Sequence, residues 1–441
     1  MDSQSDSRSD LQQDSDSLAE ALLERALASG AQVAEVYASS ELLRPVIFEG
    51  NRLKQIETTQ AEGIALRLWK EGKPGLAVGY GPIDPALLVE KALAISTLNE
   101  AEDPNLTAGV QATDALGGET ATVETMVEWG RGAIAQLRDA FPEVVCEAEF
   151  SCDVERSRLI NSLGLDCRTQ ETTLSSFINA ELVQSDDFLS VGDGDMNRGA
   201  LDIDGVTERI LQRMQWAQKN VAPVTGKVPV IFTAAASWLL WDTLRSALNG
   251  KQALEGTSPW SNRLGQQVLD SAIHLRQDPT IGPYSCAFDD EGVPTQKLAF
   301  VEGGIVKAWY CDRATGKKLN QPSTGNGVRP GLGSYPTPGT INLLVTPGSA
   351  DWNALIAQQK DAIIVDQVMG EGGDITGEMS VNLELGYRVR DGEIIGRVKD
   401  TMVAGNAYTA LNNLIAIGSD ADWQGSTHTP SLVVGGLSVA G

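Results

Sequence analysis

The stretch Phe288-Asp289-Asp290-Glu291-Gly292-Val293-Pro294-Thr295, followed by Leu298-Ala299-Phe300-Val301-Glu302, Gly303-Gly304 and Ile305-Val306-Lys307-Ala308-Trp309-Tyr310-Cys311, decides how the chain is read. Two β-prone runs separated by Gly-Gly predict a hairpin, because both central residues of such a turn need positive φ. The acidic cluster ahead of it ends in glycine and proline, and the bland expectation is an exposed turn leading into the strand near Thr295. Asp289, Asp290 and Glu291 together also have the chemistry of a divalent-metal site or an acid/base pair.

Outward from the hairpin, β signals dominate the C-terminal half. Strands are expected at 228–232, 362–369, 381–389 and 394–398, with Asp391-Gly392 as the turn joining the last two. A helix is expected over 234–248. The glycine-rich loop 369–377 lacks the Lys-Ser/Thr ending of a phosphate loop and carries acids that repel phosphate, so it reads as a tight β connection.

Toward the N-terminus the pattern alternates between layers. Ser17-Leu18-Ala19-Glu20 is a capping box that opens a helix stopped by Gly30. Strands follow at 32–38, 45–49, 52–58, 63–70 and 75–80. Asp84-Pro85 starts another helix with an N-cap and a proline at its first position. Residues 101–120 read as loop, 123–140 as a long helix, 144–151, 156–161 and 172–184 as strands, and 206–218 as an amphipathic helix. The fold class is therefore α+β in two domains. Helices on an antiparallel sheet occupy 17–222, a β-rich domain occupies 223–441, and 221–226 links them. Residues 1–16, acidic and serine-rich, read as a disordered tail.

Composition narrows the function. The chain has 441 residues, 42% of them hydrophobic, and no apolar run long enough to span a bilayer, so no membrane insertion is expected. A formal net charge of −25 repels nucleic-acid phosphates. Five cysteines without paired spacing, and an N-terminus without a secretory pattern, point to reduced thiols and a cytoplasmic location. The two histidines, His274 and His428, are far apart, so no helix supplies a pair of zinc-ligating imidazoles. No Gly-x-Ser-x-Gly elbow occurs.

The series Phe-Asp-x-Glu-Gly-x-x-Thr at 288–295, the hairpin, Ser323-Thr324-Gly325-Asn326, the loop 370–377, Thr401 to Asn406, 417–420 and the terminal 437–441 resembles the TldD/PmbA family, once known as modulators of DNA gyrase. In its TldD branch, a helix after the second domain's first strand carries His-Glu-x-x-x-His, and a downstream cysteine completes a zinc site. In register with that motif this chain has Trp241, Asp242 and Ser246, with Asp420 near the cysteine's place. The resemblance therefore implies the PmbA/TldE branch: no catalytic residue, metal ligand or cofactor in this chain, and zinc in a TldD-like partner subunit. It also implies a chamber in which extended or unfolded peptides are cleaved. Asp289, Glu291, Ser323, Thr324, Asn326 and Asn406 are expected to line or brace that chamber. Two other readings stay open: an autonomous hydrolase with a relocated metal site, and a homodimer that binds peptides without cutting them.

Overall fold

The computed structural model describes residues 3–184, 187–370 and 374–441, with side chains from Asp16 onward except that of Gln184. Among them, the N-terminal strands form one sheet in the order 52–56, 46–49, 145–161, 33–43, 59–70 and 73–80, with 166–184 on the other edge of 145–161. Helix Pro85–Ser96 starts where Asp84-Pro85 predicts, the Asp84 carboxylate accepting the Ala86 N–H at 2.8 Å. The helix Val123–Ala140 matches its expected bounds and buries Met126, Ala133, Ile134 and Leu137 against the sheet.

Several expectations need correction. The first helix runs Ser3–Ala28, so the Ser17 box does not open it and the expected disordered tail is continuous with the helix from Ser3. Once a helix has a nucleus, adding a residue gains a hydrogen bond at little further cost. Its Asp16 is held by Arg158 and Arg168. The expected strands at 144–151 and 156–161 are one strand, Val145–Asn161, because Asp166–Gln184 pairs along nearly all of it. The expected loop 101–120 contains the strand Gln111–Gly117, parallel to the start of Asp166–Gln184. A further strand, Asp187–Asn197, extends the sheet.

In the C-terminal half, a sheet of mostly antiparallel strands has the central order 402–406, 378–390, 361–369, 230–232 and 432–434. A second sheet runs through 305–306, 298–302, 275–277, 343–345, 427–429 and 422–424. The hairpin is present, although its second strand stops at Val306. At its turn Gly303 and Gly304 have φ of 57° and 73°, and a Cβ on Gly304 would lie 2.1 Å from the Leu269 carbonyl oxygen. The expected linker is tied down: Val221 N–H bonds the Arg397 carbonyl at 2.8 Å, and Gly226–Lys227 pairs with the C-terminal strand Ser438–Ala440. The expected helix 234–248 divides into a 3-10 turn, Ala234–Ala236, and the helix Trp238–Leu248.

The halves share apolar packing. One buried cluster joins Phe150, Ile178 and Met214 of the N-terminal half to Ile231, Ile364, Tyr387 and Val433 of the C-terminal half. A seam of this kind holds the two layers in a fixed relation and sets the geometry of every residue lying across it.

Candidate functional site

The helix Trp238–Leu248 turns Leu240, Trp241, Leu244, Ala247 and Leu248 into the core. Trp241 is 0% exposed, and its indole N–H is donated to the Thr429 hydroxyl at 2.7 Å. That nitrogen has no lone pair for a metal. Asp242 is half exposed, its carboxylate 3.8 Å from Arg245 Nε, and burial pushes its pKa up. Arg245 donates to the Ser426 hydroxyl at 2.9 Å and to the Thr427 hydroxyl, while burial lowers its own pKa. Ser246 is half buried. The Asp420 carboxylate accepts the Ser431 N–H at 3.0 Å and its hydroxyl at 2.7 Å. The motif positions thus direct their polar atoms to different partners, and the residues present do not fit a zinc ion. Among the described residues no group of three or more His, Cys, Asp and Glu side chains is arranged to hold a metal.

The acidic turn is not the exposed turn that the sequence suggests. Asp289 is 7% exposed, and its carboxylate accepts the N–H groups of Gly327 at 2.7 Å, Val293 at 2.9 Å and Glu291 at 3.0 Å. Burial raises its pKa to about 6 against the pull of those donors. Glu291 accepts the Arg313 N–H at 2.8 Å, and burial, reinforced by Asp289, lifts its pKa to about 8. Asp290 accepts the Arg329 N–H at 2.7 Å. These carboxylates order the loop 327–329 and the start of the helix Arg313–Lys318, using backbone donors that would otherwise be orphaned.

The Ser323–Asn326 turn is a brace. Asn326 is 0% exposed and donates to Gln277 Oε1 at 2.7 Å and to the Gly339 carbonyl at 2.8 Å. It accepts the Thr324 hydroxyl at 2.7 Å, and that oxygen in turn accepts the Cys311 N–H at 2.7 Å. Ser323 donates to the Cys311 carbonyl at 3.1 Å. Asn406 caps the helix Ala407–Asn412, accepting Thr409 N–H at 3.1 Å, and its amide reaches the Thr376 carbonyl at 3.0 Å and Glu378 at 2.9 Å. Asn406 thereby ties down the loop end; Glu371, Gly372 and Gly373 of that loop lie outside the described residues. The remaining histidines are occupied separately. His274 Nδ1 accepts Gly303 N–H at 3.3 Å, and His428 packs 5.1 Å from the Trp423 ring.

Against this geometry, residues 225–441 match the family described as the PmbA/TldA metallopeptidase C-terminal domain. Residues 225–441 of this chain belong to the PmbA/TldD family. It is 23% identical over 415 residues to a metalloprotease of Methanothermobacter thermautotrophicus, covering 88% of each chain. It is 30% identical over 221 residues to the metalloprotease PmbA homolog of Haemophilus influenzae, covering 49% of this chain and 47% of that one. In structure it is similar to TldE from Thermococcus kodakarensis, with a TM-score of 0.85, 22% identity and coverage of 96% of this chain and 100% of that one. The α+β architecture is that of TldE.

Within this PmbA/TldD fold, the sequence missed the residues that clamp the acidic turn to the N-terminal sheet. Arg329 reaches Glu35 at 3.2 Å and lies 4.9 Å over the Tyr37 ring. Arg313 donates to the Asn105 carbonyl at 2.8 Å, and Arg198 to the Ser285 carbonyl at 2.7 Å. Asp114 accepts the Ala287 N–H at 2.6 Å. Arg313 falls in the family-like segment 312–319, whereas Glu35, Asp114, Arg198 and Arg329 sit in no motif. Glu35 is one acid within an alternating strand, and only the arrival of another layer gives it a partner.

Proposed function

We propose that this chain is the PmbA/TldE-like, zinc-less subunit of a TldD-type metalloprotease that degrades or trims unfolded peptides. The observation carrying the reading is Trp241: at the place of the motif's first histidine stands a fully buried indole whose N–H is donated to Thr429. With two histidines at 274 and 428, the chain contains no His-Glu-x-x-x-His. The TldD-like partner supplies zinc and its activated water, and this subunit closes the chamber around an extended peptide. Strand addition suits such a substrate, since backbone hydrogen bonds carry affinity with little sequence preference. The glycine-rich loops and their buried polar braces hold the chamber wall in shape. No described helix is long and apolar enough to cross a membrane.

Metal content and cleavage of an unstructured peptide, measured on the purified chain with and without a TldD-like protein, test the proposal. The expected result is no bound zinc, no cleavage alone and cleavage in the mixture. Stoichiometric metal with activity by the chain alone overturns it.

A further inference from the structure

A cavity of about 250 Å³ opens on the seam between the two halves, away from the acidic turn. Its N-terminal wall is the helix Ile203–Trp216 and the strand Asp187–Asn197; its C-terminal wall includes Trp352 and the segment 420–424. Trp216 and Trp352 stack there with ring centroids 5.9 Å apart and planes 20° from parallel, both half buried. The two half-buried indoles cover one face of each other and Trp216 also meets Tyr387 edge-on at 5.5 Å, so what the pair offers a cation is the aromatic surface left on the cavity side.

The charges around it are unbalanced. Arg213 is neutralised twice, by Asp193 at 2.5 Å and by Asp366 at 3.1 Å. Arg209 is paired with Asp193 at 2.9 Å and stands 4.0 Å from Asp422. Four cavity carboxylates thus face two guanidinium groups. The surplus falls on Asp420, whose neighbours Ser431 N–H and hydroxyl are neutral donors, and on Asp422, which is 51% exposed. The carboxylates form no metal-binding group among the described residues, so the ligand that fits their surplus charge is an organic cation. The volume lies below the roughly 300–1,000 Å³ usual for drug-sized ligands, which makes the occupant the size of a side chain.

We infer that this seam cavity binds a guanidinium or ammonium group carried on a short alkyl chain, as on an arginine or lysine side chain of a bound peptide or on a free amine of that form. The planar head stacks on the Trp216–Trp352 wall, and its charge is met by Asp420 and Asp422. The inference stands apart from the proposed zinc-less role, because it concerns binding by this chain alone.

Calorimetric titration of the full chain with agmatine and with arginine amide tests it, with acetyl-glutamate amide as the opposite-charge control. Saturable binding of the cations, at a Kd of about 1 mM or tighter, is expected. Asp422→Asn should weaken it about fivefold to tenfold, as should Asp420→Asn, with thermal midpoints measured alongside to show that each variant folds. Quenching of indole fluorescence on binding should disappear in Trp352→Phe. Absence of saturable binding by a folded chain, wild-type affinity retained in both asparagine variants, or preference for the glutamate derivative overturns the inference. If arginine amide binds and agmatine does not, the head group and short chain alone are insufficient, and the inference fails in that form.

Discussion

Glu35 and Arg329, 294 residues apart, meet at 3.2 Å across the seam between the two halves, with side chains 4% and 3% exposed. Glu35 also takes Arg67 at 2.8 Å, so a single carboxylate holds two guanidinium groups from different layers. Glu35→Ala removes the one carboxylate in direct contact with both buried arginines, leaving Arg329 with Asp290 as its nearest acid. Breaking a buried pair from one side typically costs about 3–5 kcal/mol. Denaturant unfolding should register a loss of that size, whereas Lys54→Ala at the exposed Glu49 pair should change stability by less than about 1 kcal/mol.

Glu291 predicts a pH dependence of stability. Its folded pKa is raised from 4.5 to about 8, so between those values the native state holds a proton that the unfolded chain has released. The stabilisation is complete below the unfolded value and is lost as pH rises toward the folded one, at up to roughly 1.4 kcal/mol per pH unit. Asp289, raised to about 6, acts in the same direction over its lower window. Glu291→Gln should therefore flatten the decline between pH 4.5 and 8, and the stability difference between variant and wild type should grow with pH. Parallel curves for the two proteins would contradict the burial of a protonated Glu291.

Asn326→Ala removes two donated bonds and the acceptor of the Thr324 hydroxyl; the Gly339 carbonyl loses its side-chain donor, while Gln277 Oε1 keeps the Ile341 N–H at 3.1 Å. Each such orphaned group costs about 1–3 kcal/mol. A loss of roughly 2–4 kcal/mol is expected in thermal or denaturant unfolding. Cleavage by the reconstituted pair should fall as well. Unchanged turnover with a lower melting temperature would confine Asn326 to a structural role.

Restoring two histidines should not create a metalloprotease. Trp241 fills the core, and Trp241→His empties volume beside Leu240 and Leu244 while removing the bond to Thr429. Large-to-small changes at such positions cost about 3–5 kcal/mol. Trp241→His combined with Ser246→His still lacks the glutamate base, since Asp242 is one methylene shorter and engages Arg245, and Asp420 is bonded to Ser431. The expected result is a destabilised chain without zinc-dependent cleavage. Robust cleavage by that double variant alone would overturn the proposed division of labour.

The local elements were legible because their signals lie within a few residues. Asp84 capping Ala86, the Gly303-Gly304 turn and the apolar face of Val123–Ala140 each follow from neighbouring side chains and backbone angles. The strand Gln111–Gly117 was not legible: its Ala-Thr-Asp-Ala composition reads as loop, and it is extended only because Asp166–Glu171 lies beside it in parallel. Val145–Asn161 looked divided because its middle is polar and charged, yet pairing along the neighbouring strand keeps it continuous.

For the site, the sequence by itself determined the family resemblance, the α+β class and the lack of a His-Glu-x-x-x-His helix, since each depends only on which residues occur and in what order. Tertiary structure decided everything that depends on burial and on distant partners. It converted Asp289 and Glu291 from a solvated turn into buried acceptors, made Asn326 a fully bonded brace, joined Glu35 to Arg329, and enclosed the Trp216–Trp352 cavity between halves. The reason is physical: a cap or turn is specified by one short segment, whereas the desolvation and pairing of a charge depend on two surfaces that meet only after the chain has folded.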